Sequence, residues 1–265
     1  MNEDILQSTM GGLDAGLHVL HIATLNSQCC VLSDTVEAVR DDERFRGFDH
    51  VPVVNEAGHV VGVLAPNEPT WGAVREAMQP LDGTMLVSAD EPLARFLPTL
   101  ADGPYRLVVR GTRISGIVTR SDVLKLPVRL LAFTLVTHLE MTMASLIRAK
   151  HPHDDTWMDL VEPYRQKGVL GKFKRLQKHK LDPSLLECTD FRDKRVVVAK
   201  LYVLDDTFLT ETEQVEGMRN AIAHAADYGQ TEAELRGFLV GLQRAEYWTS
   251  MLKENLSAAQ GDVKR

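Results

Sequence analysis

One pattern occurs twice in the first half of this chain, and it constrains the fold there more than any other feature. Val51-Pro52-Val53-Val54, a loop with Gly58, and Val60-Val61-Gly62-Val63-Leu64 read as a hairpin of two buried strands. About 54 residues later the same plan returns as Tyr105-Arg106-Leu107-Val108-Val109, a loop with Gly111, and Ile114-Ser115-Gly116-Ile117-Val118. A short strand and an amphipathic helix precede each copy: Cys30-Val31-Leu32 with residues 35–39, then Met85-Leu86-Val87 with residues 92–100. Each hairpin is expected to run into a helix start, Ala65-Pro66-Asn67-Glu68 in the first copy and Thr119-Arg120-Ser121-Asp122 in the second. A β-α-β-β-α unit of this size buries its apolar faces by stacking on its neighbour, so the pair predicts one α+β domain.

The most specific pieces are Gly116-Ile117-Val118-Thr119-Arg120-Ser121-Asp122 and the inter-repeat Val74-Arg75-Glu76-Ala77-Met78-Gln79-Pro80. With them, roughly residues 18–126 resemble a tandem CBS pair (the cystathionine-β-synthase type). The resemblance implies a pseudo-twofold disc, with repeat 1 over 18–75 and repeat 2 over 76–126, after an N-terminal extension over 1–17. It also implies a regulatory ligand between the repeats, an adenine nucleotide (AMP, ADP or ATP) or S-adenosylmethionine. By family position Asp122 takes the ribose hydroxyls and Thr119 the ribose or phosphate. Ser88 and Arg106 are the neighbours expected on the facing strands; His50 is either within reach of a phosphate or an ordinary structural histidine on a strand edge. A carboxylate can accept from two vicinal hydroxyls, while a helix N-terminus attracts phosphate. Thr119-x-x-Asp122 also fits a helix capping box with Asp in place of Glu, and capping alone accounts for both residues. The first copy carries Ala65 and Glu68 at these places, so one good nucleotide site is expected, around the second motif.

The second half reads as helical. Its most informative string is Arg219-Asn220-Ala221-Ile222-Ala223-His224. At roughly 100° per residue, Arg219, Asn220 and His224 project from one polar arc. Val215, Met218, Ala221, Ile222 and Ala225 fill the opposite, buried arc. Thr210 or Thr212 is the expected N-cap, and Gly229 the stop signal. A permanent cation, an amide and an imidazole together suit work on a phosphodiester: histidine moves a proton near neutral pH, and arginine holds phosphate oxygens. An ordinary solvated helix face with an i,i+4 pair explains the same residues. Met-Arg-Asn-Ala-Ile-Ala-His resembles the Arg-Asn-(three residues)-His signature of HEPN domains, a small all-helical family that includes metal-independent ribonucleases. The resemblance implies an all-α HEPN-like bundle over 127–258, followed by a tail over 259–265. It further implies a homodimer that joins two motifs, RNA cleaved by its own 2′-hydroxyl, and no metal. His224 would then be general acid or base, Arg219 the phosphate clamp and Asn220 a support. Glu140 is a candidate to orient the histidine.

Charge is divided unevenly. The chain carries a net −7, and the whole acidic excess falls in residues 1–126. Within the neutral second half, residues 165–200 are locally basic, notably Lys172-Phe173-Lys174-Arg175-Leu176-Gln177-Lys178-His179-Lys180. Such a run can track an RNA backbone, and is more often a solvated face. Cys29, Cys30 and Cys188 imply no disulfide framework, which with the acidic start points to a cytoplasmic protein. The apolar stretch 130–147 holds His138 and Glu140, so it is expected as a buried or dimerising helix and no membrane contact is expected. His151-Pro152-His153-Asp154-Asp155 carries ligand-type atoms, but reads as a polar loop, and no metal site is expected.

Between the halves there is no Gly/Ser tether, and Pro127 fits a bend or a helix start. The functional expectation is a nucleotide sensor whose helical domain is a metal-independent endoribonuclease needing no cofactor for cleavage. Its alternative is a non-catalytic sensor whose helical domain dimerises or binds a protein partner. A protein inhibitor is a further expected kind of partner.

Overall fold

The computed structural model describes residues 12, 16–152, 155–223 and 231–262. The chain divides into two units, Met1–Val128 and Arg129–Arg265.

The first unit holds two four-stranded sheets with the same plan. In repeat 1, β2 (Cys30–Val31) lies parallel to β3 (Val51–Val54), which forms an antiparallel hairpin with β4 (Val60–Leu64). In repeat 2, β6 (Leu86–Ser88) lies parallel to β7 (Tyr105–Arg110), which turns back into β8 (Arg113–Thr119). The fourth strand of each sheet comes from the other repeat. β1 (Thr24–Leu25), at the start of repeat 1, pairs with β8 of repeat 2, while β5 (Gln79–Pro80), at the start of repeat 2, pairs with β4 of repeat 1. Each repeat is therefore closed by the segment that introduces the other.

The crossovers are short helices: α1 (Val36–Asp41) and, in repeat 2, α3 (Leu93–Phe96), while α2 (Val74–Ala77) leads into β5. Thr35 caps α1, its Oγ1 accepting the Ala38 N–H at 3.2 Å. Val36, Val39, Phe45, Val51, Val53 and Leu64 make the core of repeat 1, and Val63, Met85, Tyr105, Leu107 and Ile117 form a second cluster drawn from both repeats. Inward apolar residues on both sheets supply this burial, which is the main favourable term in such a fold.

One sequence expectation fails here. Residues 65–68 form a turn, not a helix start. Ala65 has no side-chain oxygen to cap a helix. Instead Arg40 ties the loop down, donating from Nε to the Pro66 carbonyl at 2.7 Å and from Nη2 to the carbonyls of Glu68 and Thr70 at 3.0 and 2.9 Å.

The second unit is helical. It comprises most of α4 (Leu126–Lys150), then α5 (Pro163–Lys178), α6 (Phe191–Tyr202), α7 (Asp206–Ala223) and α8 (Glu232–Asp262). α4 is long and apolar enough to cross a membrane by length and composition, with mean hydropathy 1.6 over its most apolar window. Most of that window is buried, through Leu135, Val136, Leu139, Met143, Leu146 and Ile147 among others, as in the core helix of a folded bundle. α7 and α8 pack through Phe208 and Trp248, whose rings meet edge-on at 5.0 Å, and Trp248 Nε1 donates to Glu211 at 2.8 Å.

α5 is fastened to the start of α6 by charge. Asp190 caps α6 and forms a capping box with Asp193. Arg165 of α5 holds Asp193 with two parallel bonds, Nε at 2.9 Å and Nη2 at 3.0 Å, and also contacts Asp190. These bonds, Asp193's first, raise the Arg165 pKa. Burial pushes the Asp190 carboxyl up, but the Asp193 N–H and Arg165 outweigh it and leave the pKa lowered.

Candidate functional site

β8 ends at Thr119, whose extended backbone (φ −127°, ψ 173°) turns the chain into the single helical turn Arg120–Leu124. Asp122 in that turn is only 6% exposed. Its Oδ2 accepts from the Thr119 N–H at 2.6 Å and from Thr119 Oγ1 at 3.1 Å. Its Oδ1 lies 2.7 Å from Lys125 Nζ. The capping box is thus present, and it fixes the carboxylate. An ionised carboxylate offers about four acceptor positions, and these contacts fill three, leaving one for a ligand hydroxyl.

Thr119, Arg120, Ser121 and Asp122 form one wall of a cleft of about 590 Å³. Phe48, His50 and Pro52 of repeat 1 also line it, with Thr24 and Gln28. Phe48 is 43% exposed, an aromatic ring left open at the rim.

A second cleft of about 530 Å³ is the counterpart of the first under the 54-residue repeat. Ala65 and Glu68 stand where Thr119 and Asp122 stand, and Asp102, Pro104 and Arg106 replace Phe48, His50 and Pro52. His50 and Pro104 line both clefts. The His50 ring lies 4.6 Å from that of Tyr105, whose hydroxyl is 3.1 Å from Gln79 Oε1 in the second cleft. Burial lowers the His50 pKa and Arg120 adds to that, against the opposing pull of Asp49 and Glu68.

The neighbours expected for the Thr119 motif need correction. Arg106 lines the second cleft, donating to the Tyr105 and Thr99 carbonyls at 2.8 and 2.9 Å. Ser88 lines neither cleft, and its Oγ accepts the Asp90 N–H at 3.2 Å in a local turn. The reason is the exchange of walls between repeats: the motif of repeat 2 faces residues of repeat 1, so its neighbours are Phe48 and His50. The equal spacing of the two hairpins was the signal that could have located them. His50 does line the motif's cleft, beside the strand edge.

In the helical unit, Val215, Met218 and Ile222 of α7 are buried, Ala221 and Arg219 are half-buried and Asn220 is exposed. His224 and Ala225 lie outside the described residues, as does Gly229. The expected cap is wrong. α7 begins at Asp206, and Asp205 Oδ1 accepts the Phe208 N–H at 3.2 Å. Thr212 is interior and fully buried, bonding back to the Phe208 carbonyl at 2.6 Å. Glu140 pairs with the buried Lys194 at 2.9 Å. Glu216 and Glu213 approach the buried Arg195 at 3.6 and 3.4 Å, and burial raises the Glu216 pKa against that cation. Among the described residues, no group of three or more His, Cys, Asp or Glu side chains could hold a metal ion.

No curated protein matches this chain. Among solved structures, the CBS domains of a transcriptional regulator from Streptococcus pneumoniae are 25% identical, covering 41% of this chain and 97% of that one, with a TM-score of 0.35. The CBS domain of a bacterial CNNM/CorC family Mg2+ transporter in complex with ATP is 21% identical, covering 46% and 93%, at 0.36. CBSX2 in complex with AMP is 19% identical, covering 43% and 98%, also at 0.36. Residues 74–129, from α2 through the second hairpin and its Thr119–Asp122 turn, match the family described as CBS domain.

Proposed function

We propose that the first unit is a sensor for an adenine nucleotide, bound in the cleft at Thr119 and Asp122, and that occupancy regulates the helical unit. The observation that carries this reading is the lining of the larger of the two related clefts. It combines a buried carboxylate with an acceptor position to spare, a guanidinium (Arg120) and an open aromatic ring (Phe48). Ribose hydroxyls, phosphate and purine ask for these three kinds of group, and the volume lies within the usual range for small-molecule sites. The counterpart cleft has Ala65 in place of the threonine, so a single nucleotide per chain is the expected load.

A thermal-shift titration with AMP, ADP, ATP and S-adenosylmethionine tests this. A ligand that binds only the folded form raises the melting temperature with its concentration. Asp122→Asn should abolish that shift, while Glu68→Gln leaves it in place. A chain whose melting temperature ignores all four compounds would end the proposal.

The helical unit supports a second reading, metal-independent cleavage of RNA by a cytoplasmic homodimer. Asn220 is exposed and Arg219 is half-buried at the margin of the arc of Val215, Met218 and Ile222, so both remain open on one side, which favours it. Incubation of the full chain with total RNA in EDTA, beside Arg219→Ala and His224→Ala, decides the matter. Cleavage must occur, and must vanish in both variants. Without cleavage, the helical unit serves dimerisation or a protein partner, an inhibitor included.

A further inference from the structure

Helix α5 has two faces of different character. Val169 is its buried residue, and Phe173, Leu176, Arg165 and Gln166 are half-buried beside it. At 100° per residue these five fall within about 60° of Val169. They are also where the helix is fastened: Arg165 to Asp190 and Asp193, and Gln166 Nε2 to the carbonyls of Met158 and Val161 at 3.0 and 2.8 Å. On the same wheel Lys167, Lys174 and Lys178 lie about 140–180° away, in one line on the side opposite the packed arc. All three are exposed, and none forms an ion pair with another described residue. The line runs about 16 Å along the helix axis.

Three further features lie on the flank adjoining that line, about 100–160° from Val169. Arg175 is exposed, Tyr164 is 61% exposed, and Gly168 and Gly171 would each have open space around an added Cβ. Glycines inside a helix cost stability, and packing within the described residues does not require these two. They leave the helix backbone open to close approach. From Pro163 to Leu181 the sequence has no Asp or Glu, so the free face carries positive charge alone in a chain of net charge −7.

We propose that the free face of α5 binds the phosphodiester backbone of a single-stranded polynucleotide, with Lys167, Lys174 and Lys178 on phosphates and Tyr164 stacked on a base. A line of cations beside an open aromatic ring is the combination such strands select. A lipid surface would need a broad apolar face to insert, whereas Val169, Phe173 and Leu176 of α5 face inward and Leu170 is its one exposed large aliphatic side chain.

The test is binding, not cleavage, so it stands apart from the ribonuclease reading. Fluorescence anisotropy of the full chain is measured in EDTA with labelled oligouridylate and oligodeoxythymidylate of roughly 20 nucleotides, across a salt series. For single strands the log–log salt slope is about −0.7 per phosphate neutralised. The triple variant Lys167→Gln, Lys174→Gln, Lys178→Gln should therefore flatten the slope by about 2. Lys172→Gln, beside the packed arc, controls for net charge and should leave the slope nearly unchanged. Tyr164→Ala should weaken binding roughly tenfold at unchanged slope. Binding of both oligomers with these responses supports the proposal, and binding of one alone names the strand. No binding of either, an equal effect of Lys172→Gln and Lys174→Gln, or binding to phosphatidylserine vesicles in place of the oligomers would overturn it. Circular dichroism shows whether each variant remains folded.

Discussion

Gly62 and Gly116 stand 54 residues apart and meet the same obstacle. A Cβ at Gly62 would sit 2.5 Å from the Gln79 carbonyl oxygen, and a Cβ at Gly116 would sit 2.4 Å from that of Thr24. Each glycine lies on the second hairpin strand of its repeat, opposite the short strand contributed from outside. Both obstacles are backbone, which cannot swing aside. Gly62→Ala and Gly116→Ala should each destabilise the first unit by about 1–3 kcal/mol, the usual cost of overpacking. Urea unfolding followed on that unit checks this, and a loss below about 0.5 kcal/mol would show that β5 and β1 are easily displaced.

Arg165→Met should cost the helical unit about 3 kcal/mol. The substitution leaves Asp193, 3% exposed, as a buried charge without its guanidinium. Arg165→Lys should recover less than half of the loss, because an ammonium cannot supply two parallel bonds to one carboxylate. Denaturation midpoints of the three proteins test both statements.

Acid should weaken the helical unit through His138. Burial, helped by Lys253, pushes its pKa from 6.5 down to about 4. The unfolded chain therefore binds a proton between those values while the folded chain does not. Stability is complete above pH 6.5 and falls as pH drops toward 4. Between pH 7 and pH 5 the effect should be on the order of 1–2 kcal/mol. Melting temperatures at pH 7 and pH 5, beside His138→Leu, would show a smaller acid loss in the variant. An equal loss in both would assign the effect elsewhere.

Val203 ends α6 in the left-handed region, at φ 52° and ψ 46°, with its N–H bonded to the Ala199 carbonyl. It is 89% exposed, so no packing compensates for a β-branched residue there. Val203→Gly should raise the stability of the helical unit by about 1 kcal/mol. A lower melting temperature in the variant would contradict this.

The internal repeat let the strands, hairpins and common plan of the first unit be read from residue types alone, because short runs of β-branched residues bounded by turn glycines encode pairing locally. Thr119 and Asp122 were legible for the same reason, since a capping box lies within four residues. The wheel likewise separated the buried Val215, Met218 and Ile222 from the exposed Asn220, with the half-buried Arg219 at the margin. It misplaced the start of α7, because a buried threonine and a cap look alike in one dimension. What completes the cleft at Thr119 was decided only in three dimensions. The sequence put His50 there correctly but added Arg106 and Ser88, whereas in the structure Phe48, from the segment before β3 of the other repeat, lines the cleft in their stead. The ties from Arg165 to Asp193 and from Lys194 to Glu140 were equally invisible, since a pairing across 28 or 54 residues leaves no local pattern. Periodicity records which face of an element is buried, while only packing selects the surface that buries it.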